Sequence, residues 1–140
     1  VKHRYHCALS RTVYIGKPDS KIDETLKITN EGVEKAIENT KPGNTCHDVA
    51  VAFWSVLEKY GLEKESRCGY SIGLGYPPDW GEHTLSIRKN EKTVLYPNVT
   101  YHLMAGMWMD TWGLEISESI RVTENGCELF CDFPRSLHLV

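Results

Sequence analysis

The sequence contains no apolar run approaching the ~20 residues that span a bilayer, and its opening Val1-Lys2-His3-Arg4-Tyr5 lacks the charged-then-apolar pattern of a secretory leader. A basic stripe is missing too, because 16 Lys and Arg are interspersed with 19 Asp and Glu for a net charge of −3. Neither a membrane nor a nucleic-acid partner is expected, and a cytoplasmic location is. The five cysteines (Cys7, Cys46, Cys68, Cys127, Cys131) include no Cys-x-x-Cys pair, and an odd number does not make a secreted disulfide framework. They read as reduced packing residues. There is no His-Glu-x-x-His and no histidine spacing that sets two ligands on one helix face, so no metal constellation is visible. Serines and cysteines lack a nucleophile-elbow context. The glycines of Gly69-Tyr70-Ser71-Ile72-Gly73-Leu74-Gly75 lack the strand-loop-helix setting and the Lys-Ser/Thr of a phosphate loop.

What is present suits one globular domain, with 41% apolar and 25% charged residues in 140. The missing initiator Met, with a chain that opens directly on a strand-like segment, suggests a fragment. Residues 4–15 alternate with a period of two and predict a strand, closed by a turn at Gly16-Lys17-Pro18-Asp19 where Asp19 or Ser20 caps a helix. From Lys21 to Asn39 apolar residues recur at steps of three and four, giving a long helix that Gly32 weakens locally. Lys41-Pro42-Gly43-Asn44 breaks the chain, and Thr45 with Asp48 forms a capping box for a second helix ending at Gly61. Strands are predicted over 67–74, 83–88, 93–96, 100–104, 113–122 and 127–130, with hairpin turns at Asn90-Glu91 and Glu124-Asn125-Gly126. Strand, two helices, then an antiparallel sheet is an α+β pattern.

Chemistry-bearing residues cluster in the second half. Pro77-Pro78 beside Asp79-Trp80 makes a stiff aromatic loop of the kind that lines pockets, although Trp80 equally fits a cover over the core edge. His102 shares a strand face with Met104, and Glu115 shares one with Ser117. A strand Glu most often faces solvent, and a His between Tyr101 and Leu103 equally fits a hydrogen-bonded core position.

The order of elements, the segment Arg4-Tyr5-His6-Cys7-Ala8-Leu9-Ser10-Arg11-Thr12, the helix pair joined by Lys41-Pro42-Gly43 and the strand Gly69 to Gly75 resemble the catalytic domain of the pita-bread superfamily of creatinase, prolidase and methionine aminopeptidase. The resemblance implies an α+β fold with a curved antiparallel sheet and covering helices. Residues 1–140 would be a partial C-terminal catalytic domain whose N-terminal side is absent. In the metal-dependent members, ligands stand where this chain has Ala8, Tyr70, Met104 and Ser117, with Glu115 at a family Arg position and the remaining ligand upstream of Val1. The resemblance therefore implies no metal and no cofactor.

The stretch from Gly69 to His83 is most similar to the ectoine hydrolase branch, with creatinase as mechanistic cousin. This implies a metal-independent hydrolase of a C–N bond in a small amidine-type compound, whose protonated carbon is electrophilic without a Lewis acid. Glu115 or Glu82 would activate water or attack that carbon, and His102 or Tyr70 would shuttle a proton. Trp80, Asp79, Trp112, His6, Tyr5 and Ser117 are the expected substrate contacts, and the full-length protein is expected to be a homodimer. Two other readings stay open: a metal-dependent Xaa-Pro dipeptidase or aminopeptidase, and an inactive pita-bread binding module.

Overall fold

Apolar residues at steps of three and four produce the two expected helices, α1 (Ser20–Asn39) and α2 (Cys46–Lys59). The computed structural model describes residues 1–76 and 79–140, with the backbone alone at Tyr76, Trp80, Gly81 and Glu82. Asp19 caps α1 by accepting the Lys21 N–H at 2.9 Å, and Thr45 and Asp48 cap α2 reciprocally. Gly32 does not break α1. A Cβ there would lie 2.9 Å from the Phe53 ring, so the glycine lets α2 pack close.

The first N–H groups of α2 have no partner inside the helix. Cys46 N–H donates to the Thr93 carbonyl at 2.9 Å and His47 N–H to that of Glu91 at 2.8 Å. Residues 93–96, predicted as a strand, form instead a loop bonded to the turn before α2, with a bridge between Thr45 and Val94, Leu95 N–H donating to the Asn44 carbonyl at 2.8 Å and Gly43 N–H to that of Leu95 at 3.0 Å.

β1 (Val13–Tyr14) pairs in parallel with β7 (His138–Leu139). The main sheet contains β2 (Gly69–Tyr76), β3 (Asp79–Ile87), β4 (Thr100–Trp108), β5 (Gly113–Val122) and β6 (Cys127–Leu129), in the order β3-β2-β4-β5-β6 with every neighbour antiparallel. β4 runs four residues beyond its expected end at Met104, because Ala105 to Trp108 pair in register with Gly113 to Ile116. The stiff loop read at Pro77-Pro78 lies outside the described residues.

Alternation along β4 and β5 decides which side each residue serves. Tyr101, Leu103, Ala105 and Met107 of β4, with Leu114, Ile116, Ile120 and Val122 of β5, are buried against Leu26, Val33 and Ala36 of α1 and Val49, Phe53 and Leu57 of α2. Each such aliphatic side chain stabilises the fold by roughly 1.5–3 kcal/mol. The Tyr101 hydroxyl, at the centre of this layer, is satisfied by Thr40, which also donates to the Ala36 carbonyl at 2.9 Å. The opposite face is left for His102, Met104, Gly106 and Trp108, opposite Ser119, Ser117, Glu115 and Gly113 respectively.

The predicted strand over 4–15 is not one ladder. His6 N–H donates to Gly73 and Gly75 N–H to Arg4, then Ser117 N–H donates to Ser10, then Val13 and Tyr14 join β7. Arg4 turns at a φ of 69°, and beyond it the segment divides its bonds among three partners, which leaves only two residues in regular strand. Among the described residues no helix is long and apolar enough to cross a membrane.

Candidate active site

Tyr70 and His102 are direct partners in the β2–β4 ladder, which sets their side chains together on the face away from the helices. The Tyr70 hydroxyl lies 2.9 Å from His102 Nδ1, and the rings meet edge to face at 5.2 Å. His102 is 3% exposed. Burial pushes its imidazole down to about 4, so it is neutral at pH 7. Its Nε2 is buried with no hydrogen-bond partner among the described residues. The outer side of Tyr70 carries the Arg67 guanidinium, 4.9 Å from the ring centroid.

Ser117 and Ser119, further round the same face, hold the N-terminal segment. Ser117 Oγ accepts the Ser10 N–H at 2.6 Å, Ser119 Oγ donates to the Ala8 carbonyl at 2.7 Å, and Thr12 Oγ1 accepts the Glu115 N–H at 2.9 Å. Arg11 locks this arrangement from behind. Its guanidinium donates to the Glu118 carboxylate at 2.7 Å and to the carbonyls of Ser10, Ser117, Phe133 and Pro134 at 2.6–3.0 Å. Burial pushes the Glu118 carboxyl up, against the pull of Arg11.

Glu115 lines an open cleft of about 600 Å³ with Trp108, Trp112 and the Ser10-Arg11-Thr12 backbone. Its carboxylate is half-buried and has no hydrogen-bond or ion-pair partner among the described residues. The nearby cation is Lys64, a buried side chain whose ammonium donates to the Gly106 carbonyl at 2.7 Å and to Ser66 Oγ at 2.8 Å. Burial pushes the Lys64 ammonium below the ordinary lysine value, and Glu115 pulls it back up.

The structure thus brings Glu115 and Trp112 into one cleft, and Tyr70 and His102 into one buried pair. It does not join the two groups, since His102 stands four residues along β4 from Gly106, the partner of Glu115, which is about 13 Å of strand. Ser117 lies between them with its oxygen already used by a backbone N–H. His6 and Tyr5 sit at the far end of β2, where Tyr5 bridges Leu74 and is 60% exposed. Asp79 is exposed and 3.0 Å from His83 Nε2. The side chains of Trp80 and Glu82 lie outside the described residues. Sequence reasoning missed Arg11, Lys64 and Trp108. Strand register places Trp108, and tertiary hydrogen bonds place Arg11 and Lys64, although glycines at 106 and 113 flanking two tryptophans were a visible signal.

The resemblance assigns metal ligation to positions 8, 70, 104 and 117, and the residues there do not fit a divalent cation. Ala8 and Met104 offer no hard side-chain donor, the Tyr70 oxygen is engaged by His102, and the Ser117 oxygen by Ser10. Among the described residues no three His, Cys, Asp or Glu side chains gather at one point.

Comparison with known proteins agrees with this architecture. Over 138 residues the chain is 49% identical to "Ectoine hydrolase" of Halomonas elongata, covering 98% of this chain and 35% of that protein. It is 30% identical to "Probable dipeptidase PepE" of Mycobacterium tuberculosis, covering 97% of this chain and 36% of that one. Dipeptidase PepE from Mycobacterium ulcerans superposes with a TM-score of 0.91 at 25% identity, over 99% of this chain and 37% of that one. Prolidase from Pyrococcus furiosus, at 24% identity, superposes with a TM-score of 0.84 over 94% of this chain and 39% of that one, and shows the shared fold. The chain spans about a third of the length of these relatives. Residues 1–124 match metallopeptidase family M24, and the chain belongs to that family.

Proposed function

We propose that the full-length protein hydrolyses a C–N bond in a small amidine-type compound, with Glu115 as the base and without a divalent metal. The observation that carries this reading is the unpartnered, half-buried Glu115 carboxylate in a cleft between Trp108 and Trp112. A carboxylate in such surroundings suits a planar cation, which it attracts electrostatically while an indole face stacks on it. The similarity to "Ectoine hydrolase" supports the same reading, as do the residues at positions 8, 70, 104 and 117.

In the proposed step, Glu115 takes a proton from water as the water oxygen bonds to the amidinium carbon. The tetrahedral carbon then releases one nitrogen, which takes that proton as the C–N bond breaks. The hydroxyl proton left on the carbon passes through Glu115 to the departed amine, so that an amide and an ammonium ion result and Glu115 is again a carboxylate. Tyr70 and His102, about 13 Å along β4 from the Glu115 register, take no proton in this step. Glu82 is kept as an alternative base. The same reading takes the full-length enzyme to be a cytoplasmic homodimer with a small-molecule substrate.

The test uses the full-length enzyme with ectoine, creatine and an Xaa-Pro dipeptide, each with and without chelator. Amidine hydrolysis that survives chelation and falls by about 10²–10⁴ in kcat in Glu115→Gln is expected. Chelator-sensitive dipeptide cleavage with unchanged kcat in that variant would refute the proposal.

A further inference from the structure

Trp108 is the most exposed indole the structure describes, at 64%, yet its ring is fixed from beneath. A Cβ on Gly106 would lie 2.7 Å from its Cζ2 atom, and a Cβ on Gly113, its partner across the ladder, 2.9 Å from its Cε3 atom. The indole therefore lies along two adjacent strands on a floor that only glycines leave low enough. Shielding the Gly106 backbone accounts for the inner face of the ring. It does not account for the outer face, which opens on the cleft where Glu115, the ladder partner of Gly106, presents its carboxylate.

Two other aromatic rings described on this face each carry a cation. The Lys21 ammonium stands 5.9 Å from the Trp112 ring, and Arg67 covers Tyr70 at 4.9 Å. Among the described residues, Trp108 presents an open ring beside the Glu115 carboxylate, which has no hydrogen-bond or ion-pair partner there.

We infer that Trp108, held flat by Gly106 and Gly113, is the stacking platform for the planar cation of the substrate, with Glu115 at its edge. The inference rests on the amidine reading and adds the residue that selects for positive charge. An indole face and a carboxylate together favour a delocalised cation over a neutral compound of the same shape. The glycine floor fixes the ring in its binding orientation before the ligand arrives, which removes part of the ordering cost.

Acetamidinium and neutral acetamide are the probes, titrated by calorimetry against the full-length enzyme, Trp108→Leu and Gly113→Ala. Trp108→Leu is expected to weaken acetamidinium at least about fivefold and to leave acetamide unchanged. Gly113→Ala keeps the indole but lifts it, and is expected to weaken acetamidinium in the same direction. Trp108 is mostly exposed, so thermal unfolding of the leucine variant should match the parent. Unchanged acetamidinium affinity in Trp108→Leu, an equal loss for acetamide, or no acetamidinium binding by the parent overturns the platform. Ammonia release from acetamidinium is followed separately. Charge-selective binding without turnover keeps the platform and sinks the amidine chemistry, whereas turnover with unaltered binding in Trp108→Leu does the reverse.

Discussion

Arg11 and Glu118 meet at 2.7 Å with side chains 6% and 2% exposed, and every guanidinium donor of Arg11 is used on Glu118 or on a backbone carbonyl. One side chain thereby ties the N-terminal segment, β5 and the C-terminal tail together. Arg11→Ala strands a buried carboxylate and frees four carbonyls, so urea unfolding of the full-length protein should show a loss of about 3–5 kcal/mol. Glu118→Gln keeps an acceptor for Arg11 and should cost clearly less. Burial raises the folded-state value of Glu118, so its contribution is present below the unfolded value and declines as pH rises. The glutamine variant should therefore compare better with the parent at pH 7 than at pH 4. An arginine variant as stable as the parent would refute the clasp.

His102 titrates in the opposite sense. Its folded value is held down near 4 from an unfolded 6.5, so the unfolded chain binds the extra proton between these values. The stability this adds is present above 6.5 and lost as pH falls towards 4, to the extent of about 3 kcal/mol. His102→Gln should flatten the fall in urea midpoint between pH 7 and pH 4.5. An unaltered slope would mean that the imidazole is solvated.

Ser117→Ala removes the acceptor for the Ser10 N–H without changing the fold of β5. The orphaned N–H should cost about 1–3 kcal/mol and loosen residues 8–12, seen as faster proteolysis within that segment. Protease resistance equal to the parent would show that the hydroxyl does not hold the segment.

Gly32→Ala sets helix propensity against packing. Alanine gains about 1 kcal/mol in a helix interior, but its Cβ would lie 2.9 Å from the ring of Phe53, a fully buried side chain. Overpacking of this kind costs about 1–3 kcal/mol, so the net effect should be destabilising. A raised Tm would show that Phe53 moves aside freely.

Both helices and their caps were legible because spacing and capping are local. Asp19, Thr45 and Asp48 act where their types and positions say, and Gly113 to Val122 pairs over its whole expected length. Residues 93–96 were misread because Thr93 and Leu95 spend their backbone groups on the first turn of α2 and the turn before it, a demand set by another element. Ala105 to Trp108 were missed because glycine and methionine carry little strand preference, and pairing with β5 overrides that. Within the site, Glu115 and Trp112 were recognisable as residue types suited to a cation, whereas Trp108 was not. Its role depends on what lies under the ring, and that is known only once Gly113 is opposite it.

Ser10 and Ser117 are bonded across 107 residues of sequence, and the Arg11–Glu118 contact joins equally distant parts. Contacts of such separation close the largest loops and form late in folding. The wall of the cleft beside Glu115 is therefore expected to be completed after the helices and the β4–β5 hairpin. In native-state hydrogen exchange, the Ser10 and Ser117 amides should open with lower free energy than those of Leu103 or Ile116. The protein would then be able to lose its binding cleft while keeping its core, a partial unfolding that silences it without exposing the helix-packed layer.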